Sequence, residues 1–118
     1  MFVDNFQIFT NASMVGDLHS LPVNANQYGL VDIQAVWTGA PVGSLFIETS
    51  NDVGITEVDG TVINVTNWTT YTGSATATGG SAGNFAWHIW ATGFKWVRLS
   101  YTFTSGTGTL NARVNQKG

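Results

Sequence analysis

Cysteine is absent from the 118-residue sequence. Disulfides, iron–sulfur clusters, thiolate zinc sites and thiol catalysis are therefore excluded. Charge is also scarce, because Asp, Glu, Lys and Arg make up only 9% of the residues, against about 25% in an average soluble domain. This shortage excludes a long charged coiled coil, an ion-paired helical bundle and a charge-rich disordered tail.

Basic residues are few, and the formal net charge is −3, from four Lys and Arg against seven Asp and Glu. Binding to a nucleic-acid duplex needs clustered cations, so no nucleic-acid partner is expected. The apolar runs are far shorter than the roughly 20 residues that span a bilayer, so no membrane partner is expected. Residues 1–5 lack the basic and apolar regions of a secretory signal, which favours release of the protein by cell lysis.

Glycine and threonine are abundant, as is typical of strands joined by tight turns. Apolar and polar residues alternate with the period of a half-buried strand in several segments. The clearest are 31–37, 44–49, 85–90, 95–103 and 109–114, and weaker ones are 6–9, 18–21, 62–65 and 68–71. The sequence therefore predicts one all-β domain over residues 1–118, an antiparallel β-sandwich of the jelly-roll type with seven or eight strands.

Turn residues suggest how some of these strands are joined. Residues 38–43, which include Pro41 and Gly43, predict a hairpin between the strands at 31–37 and 44–49. Residues 105–108 allow positive φ between the last two strands. The small-residue segment 73–83 is short and has strong strands nearby, so we expect an ordered strand and loop there rather than a flexible linker.

The sequence offers little for catalysis. His19 and His88 fit no metal-ligand spacing such as HExxH, and His88 is expected at a surface or an interface because it lies opposite the apolar residues of its strand. Asp32 and Glu48 could lie on adjacent strands as a carboxylate pair for glycoside cleavage, but solvent-facing strand positions explain both equally well. No nucleophile elbow G-x-S-x-G is present. We therefore expect no catalytic residue and no enzyme.

The sequence indications of a metal or phosphate site are equally weak. Asn51, Asp52, Glu57 and Asp59 offer the oxygen ligands that Ca²⁺ prefers, but they lack the spacing of an EF-hand loop, and turn chemistry alone accounts for them. The glycine-rich segment 79–83 lacks the Lys and the following helix of a phosphate-binding loop. We expect no metal ion and no cofactor.

Tryptophan is the enriched residue, with five in the chain. Tryptophan stacks on sugar rings and anchors protein interfaces. Strand alternation places Trp90 and Trp96 opposite the core-facing residues, so both are expected to point outward unless they cap the ends of the core. Such apolar outer positions predict that another subunit or a ligand covers part of the surface. The candidate interface or ligand residues are these two together with Trp68, His88 and Arg98.

Four segments stand in a fixed order along the chain: ASMVGDL at 12–18, VDIQAVWTGAPVG at 31–43, TSND at 49–52 and KWVRLSYTFTSGTGTL at 95–110. This set resembles a group of small structural proteins of tailed phages and other bacterial viruses, also found in phage-derived bacterial fibres. The resemblance covers most of the chain from 12 to 114. The sequence departs from the pattern of the group at 54–67, where more residues than usual separate the SND turn from the segment NWT. Contacts particular to this protein are expected in this longer loop.

The resemblance implies a β-sandwich of a bacteriophage virion, with no catalytic residues to carry over. The expected function is that of a structural protein, as a capsid decoration or spike or as a tail-fibre component. The expected partners are copies of the chain, by analogy a homotrimer, and other virion proteins. The alternative is a receptor- or carbohydrate-binding module of a tail fibre or adhesin, in which Trp68, Trp90 or Trp96 stacks on a host surface glycan. Arg98 is expected to hold a loop carboxylate or a neighbouring subunit.

Overall fold

The computed structural model describes residues 3–25, 29–56, 58, 62–63, 65–90 and 93–117. In this part the chain forms twelve strands and no helix, so it contains no helix that could cross a membrane. The strands are β1 (Val3–Ser13), β2 (Leu18–His19), β3 (Val23–Asn24), β4 (Leu30–Gly39), β5 (Val42–Ser50), β6 (Ile55–Thr56), β7 (Val62–Ile63), β8 (Thr69–Thr70), β9 (Thr76–Ala77), β10 (Gly83–Trp90), β11 (Trp96–Ser105) and β12 (Gly108–Lys117). The expected count of seven or eight strands is too low, because six of the twelve are only two residues long.

The strands form two packed antiparallel sheets. Sheet 1 has the order β1-β12-β4-β10, and sheet 2 has the order β2-β11-β5-β8, with β3 also pairing with β11 and β9 with β5. A separate two-stranded sheet joins β6 and β7. The prediction of an all-β antiparallel sandwich is confirmed, and the jelly-roll connectivity stays a prediction.

Alternating side chains of the two sheets meet in one core. The residues predicted to face inward in β4, β11 and β12 are mostly buried, while Phe103 at the end of β11 is only half-buried. Phe85 begins the inward row of β10 but is 40% exposed, because it lies near the end of an edge strand. The buried members of these rows are Val31, Ile33, Ala35, Trp37, Trp87, Ile89, Val97, Leu99, Tyr101, Leu110, Ala112 and Val114.

The predicted hairpin between β4 and β5 is wrong. β4 pairs with β12 and β10 in sheet 1, whereas β5 pairs with β11, β8 and β9 in sheet 2, so the connection at Ala40 and Pro41 crosses from one sheet to the other. Pro41 is buried in this crossing. Alternation shows which side chains face the core, and it is the same whether two successive strands share a sheet or face each other across the sandwich.

The connection between β11 and β12 also crosses between the sheets, and it packs directly on the first crossing. Ala40 N donates a hydrogen bond of 2.8 Å to Thr107 O. Gly106 has a φ of +80°, as the sequence predicted for this turn, and a Cβ there would collide with the Ala40 carbonyl oxygen. The two crossings therefore close one end of the sandwich together.

The small-residue segment 73–83 forms a short strand and a loop, as predicted. It contains β9 and two buried hydroxyl side chains, those of Ser74 and Thr78. Ser74 Oγ accepts a hydrogen bond from Ile47 N at 3.0 Å, and Thr78 Oγ1 donates to Pro41 O at 2.7 Å. Trp87 Nε1 donates to Ser74 O at 2.7 Å. Small side chains let this segment lie close against β5 and β10.

Candidate functional site

The five predicted interface or ligand residues lie on two different sides of the sandwich. Arg98 and Trp96 belong to β11 of sheet 2, and Trp68 lies just before β8 of the same sheet. His88 and Trp90 belong to β10, at the edge of sheet 1. The structure therefore brings together three of the predicted residues on one side and two on the other.

A half-buried polar network ties β11 to β5. Arg98 lies opposite Glu48 in the strand pairing, and its Nε donates a hydrogen bond of 2.9 Å to Glu48 Oε1. Ser100 Oγ donates to the same oxygen at 2.5 Å, and His19 Nδ1 lies 2.8 Å from Ser100 Oγ. Arg98 does hold a carboxylate, but this carboxylate belongs to a neighbouring strand and not to a loop.

The network contains a serine, a histidine and a carboxylate, but its order differs from that of a hydrolase triad. In a triad the histidine lies between the hydroxyl and the acid and takes the hydroxyl proton. Here the Ser100 hydroxyl lies between His19 and Glu48 and is completely buried. The geometry ties three strands together and leaves the hydroxyl no path to a substrate.

Trp68 is half-buried and one face of its ring is occupied. The guanidinium carbon of Arg98 lies 4.2 Å from the ring centroid, which is a cation–π contact. Trp68 Nε1 donates a hydrogen bond of 2.8 Å to Val65 O. This ring therefore braces Arg98, and it offers a sugar less surface than a fully exposed indole would.

Trp96 does not point into solvent, which corrects the sequence prediction. Its side chain is 4% exposed, and Nε1 donates a hydrogen bond of 2.7 Å to Asp52 O. The residue lies opposite Val97 and Leu99 in strand alternation, as expected, and it is not part of the core cluster. The loop after β5 covers it, and strand alternation carries no information about a loop from a distant part of the chain.

Asp52 fastens this covering loop. Its Oδ2 accepts hydrogen bonds of 2.8 Å from the backbone N–H groups of Thr66 and Asn67, and its Oδ1 accepts one of 2.9 Å from Asn67 Nδ2. The Asn67 side chain, followed by the two backbone donors, lowers the pKa of Asp52 from 3.8 to about 2. The carboxylate therefore stays ionised and holds residues 66–67 over the sheet.

The structure describes only part of the acidic cluster that was considered as a calcium site. Glu57 and Asp59 lie outside the described residues. Both carboxylate oxygens of Asp52 accept hydrogen bonds from Thr66 and Asn67. Asn51 Oδ1 accepts a hydrogen bond of 2.9 Å from Lys95 N. Across the part of the chain that the structure describes, no group of three or more His, Asp or Glu side chains is placed to hold a metal ion.

A groove runs beside these loops along β8, and no sequence signal had singled it out. It consists of two adjoining depressions of about 470 and 400 Å³ that share Thr49, Thr69 and Phe94. Tyr71 lines the second depression, and its ring meets that of Phe94 edge to face, with centroids 5.9 Å apart. Phe94 and Tyr71 stand in segments rich in Thr and Gly, where no pattern marks them as partners. We call this feature the β8 groove.

His88 lies at the surface of sheet 1, as predicted. Its Nδ1 lies 2.9 Å from Oδ1 of Asp32, the residue directly opposite on β4, and the His88 side chain is 72% exposed. Nearby, Arg113 donates hydrogen bonds of 3.0 and 2.6 Å to Asn5 Oδ1. A shallow depression of about 300 Å³ lies between these two pairs.

Asp32 and Glu48 do not form the carboxylate pair that was considered for glycoside cleavage. Asp32 is on β4 in sheet 1 and Glu48 is on β5 in sheet 2, so the two are not on adjacent strands. Each carboxylate has its own hydrogen-bond partner, which is His88 for Asp32 and Arg98 for Glu48. The error follows from the hairpin that was predicted between their strands.

Trp90 is the most exposed of the predicted aromatic residues. It is 70% exposed at the end of β10, opposite Leu30 of β4. Phe85, at the other end of the same strand, packs edge to face on Trp87 with ring centroids 4.9 Å apart. The outward position expected from strand alternation is therefore confirmed for Trp90.

No protein-family model matches this sequence, and no curated protein matches it either. Among solved structures, the fold is similar to that of the SPBc2 prophage-derived protein YomS. The two chains are 11% identical, the TM-score is 0.53, and the match covers 98% of this chain and 96% of that one. At this identity the likeness shows a shared fold.

Proposed function

We propose that this chain is a structural, non-enzymatic protein of a bacteriophage particle that assembles with copies of itself through the edge of sheet 1. The observation that carries the proposal is the edge strand β10, where Trp90 is 70% exposed. The shared fold with a prophage-derived protein supports the phage origin.

The two edges of sheet 1 differ in how they are protected against pairing. β1 breaks its register with β12 twice, between Gln7 and Phe9 and between Phe9 and Ala12, and Asn11 has a positive φ of 49°. Such irregularities discourage another strand from adding to an edge. β10 pairs with β4 in unbroken register over eight residues, so its outer backbone is a regular template for another strand.

The side chains of β10 also leave its edge unprotected. Natural edges commonly carry Lys, Pro or inward-pointing charges, and residues 83–90 contain no Lys, Arg, Asp, Glu or Pro. Among the described strands, β4 alone pairs with β10. Burying the Trp90 indole against a second copy would contribute about 2 kcal/mol, in addition to the backbone hydrogen bonds gained along the edge.

The strand order supports the jelly-roll connectivity as well. The chain crosses between the sheets from β1 to β2, from β3 to β4, from β4 to β5, from β9 to β10, and again before β11 and before β12. Two-sheet jelly rolls with such crossings recur in viral capsid proteins. We propose the virion as the location, with the chain as a capsid decoration or spike or as part of a tail fibre, in contact with other virion proteins.

Native mass spectrometry of the chain and of a Trp90→Lys variant tests the assembly. The expected result for the unaltered chain is a homotrimer, the state that the phage resemblance implies, whereas the variant is monomeric because a lysine ammonium would have to be desolvated at the contact. Val53→Lys is the matched control, since Val53 is 79% exposed and lies in the loop after β5 of sheet 2 rather than on the β10 edge, and it should leave the oligomer intact.

The location is tested on purified phage particles from lysed host cells. The chain should be present in these particles by peptide mass spectrometry, and antibody labelling in the electron microscope should show whether it decorates the shell or the tail. A chain that is monomeric in solution and missing from the particles would overturn the proposal.

A further inference from the structure

The β8 groove combines aromatic rings with short neutral polar side chains. Three threonines of its second depression, Thr69, Thr70 and Thr72, are exposed, and their hydroxyl groups make no hydrogen bond within the described part of the chain. Each hydroxyl can both donate and accept a hydrogen bond. The second depression is therefore bordered by threonines whose hydroxyl groups are available to a ligand.

The first depression adds amide groups that are already fixed in position. Asn51 accepts a hydrogen bond from Lys95 N with its Oδ1, so its Nδ2 points to no partner within the described residues. Asn67, on the opposite loop, is held by Asp52. Because both amides are held before a ligand arrives, less conformational freedom is lost on binding.

The aromatic rings supply the apolar part of the same groove. Phe94 borders both depressions and Tyr71 borders the second, and both rings are half-buried. Their edge-to-face contact, with an interplanar angle of 82°, fixes their orientation. A ligand that fits this lining has an apolar face for the rings and hydroxyl groups around its rim.

We propose that the β8 groove binds a neutral oligosaccharide. A pyranose ring presents C–H groups on its face and hydroxyl groups at its rim, which matches the rings of Phe94 and Tyr71 beside the threonine and asparagine side chains. Two adjoining depressions provide room for more than one sugar unit. This binding goes beyond the structural role proposed above, and it uses none of the tryptophans that the sequence suggested.

The charge of the groove determines which sugars fit. Asp52 lines the first depression, and with a pKa of about 2 its carboxylate is ionised at neutral pH. Among the described residues that line the groove, none is Lys or Arg. A sugar that carries a carboxylate or sulfate would meet a negative charge with no cation to balance it, so sialylated and sulfated glycans should be rejected.

A glycan array probed with the full chain, whatever its oligomeric state, tests the proposal. The array carries neutral oligosaccharides and the same chains capped with sialic acid, and the strongest neutral ligand is then titrated by calorimetry. We expect binding of at least one neutral oligosaccharide with a Kd of about 1 mM or tighter, and no gain in binding when sialic acid is added.

Two variants locate the site. Phe94→Ala removes a stacking ring and should weaken binding about tenfold or more, and Thr69→Val, which keeps the side-chain shape but removes the hydroxyl, should weaken it by about three- to tenfold. Thr102→Val is the matched control, because Thr102 is an exposed threonine of sheet 2 that does not line the groove.

Three results would overturn the proposal: no neutral oligosaccharide bound at about 1 mM, sialylated chains bound more tightly than neutral ones, or the same affinity in Thr69→Val as in the unaltered chain. Circular dichroism establishes whether Phe94→Ala is folded. If it is not, Thr69→Val decides alone, since this substitution exchanges an exposed hydroxyl for a methyl group.

Discussion

Arg98 and Glu48 face each other across β11 and β5 and form a largely covered ion pair, with 18% and 14% of their side chains exposed. Exposed ion pairs contribute little to stability because water and salt screen them. This pair is different, since the same Glu48 oxygen also accepts the hydrogen bond of the buried Ser100 hydroxyl. One carboxylate therefore satisfies two covered donors.

Removing this carboxylate should destabilise the fold. Glu48→Ala removes the acceptor that the Arg98 guanidinium shares with the Ser100 hydroxyl and leaves the largely covered guanidinium without its carboxylate, which should lower the free energy of unfolding by about 2–3 kcal/mol. Asp32→Ala is the control, because Asp32 pairs with the exposed His88, and it should cost less than about 1 kcal/mol. Urea denaturation at one fixed protein concentration measures both, and equal losses would contradict the assignment.

Asp52 should make the stability of the chain depend on acid. Its pKa is lowered from 3.8 to about 2 in the folded state, so the stabilisation is present above the unfolded-state pKa and disappears as the pH falls from 3.8 through about 2. Asp52→Asn should therefore lower the free energy of unfolding at neutral pH and flatten its fall in this acid range. Thermal unfolding from neutral pH down to strong acid measures this difference.

Asn67 should be the main cause of the low pKa of Asp52. Its side-chain amide makes the largest contribution to lowering that pKa, so Asn67→Ala should move the pKa of Asp52 upward. The carboxyl carbon shift of Asp52 in an NMR titration reports this directly. A value near 3.8 in the unaltered chain would show that the loop is not held as described.

Gly106 should tolerate no side chain. It shares a positive φ of 80° with Gly73, but a Cβ at Gly106 would strike the Ala40 carbonyl, whereas a Cβ at Gly73 would meet nothing within 4 Å. Gly73→Ala should therefore cost only the backbone strain, about 1–2 kcal/mol, and Gly106→Ala should cost at least twice as much. Similar losses in urea denaturation would mean that the two crossings are not packed as the structure places them.

Side-chain alternation was sufficient to predict the inward faces of the long strands. In β4, for example, Val31, Ile33 and Ala35 are all fully buried. The pairing of these strands could not be predicted in the same way, because β4 and β5 alternate identically whether they form a hairpin or face each other across the core. What separates the two arrangements is the close packing of Pro41 in the β4–β5 crossing against Gly108, the first residue of β12, 67 positions further along the chain.

The candidate site was predictable only where it depends on strand alternation. Trp90 is exposed as expected, because nothing in the described part of the chain folds over the outer side of β10. Trp96 has the same outward position on its strand, but hydrogen bonds between Asp52 and Asn67 hold a loop over it. The β8 groove arises in the same way from Phe94 and Tyr71, which only tertiary structure brings together.

The contrast between Trp90 and Trp96 gives a spectroscopic prediction for the assembly. Trp96 is 4% exposed within one chain, so its fluorescence should resist acrylamide at every protein concentration, whereas Trp90, at 70%, should become accessible as the oligomer dissociates on dilution. Trp90→Phe should abolish this concentration-dependent quenching, and Trp96→Phe should retain it. An accessible fraction that stays constant while the oligomer dissociates would place Trp90 outside the contact between copies, because burial by a partner must follow the mass action of association.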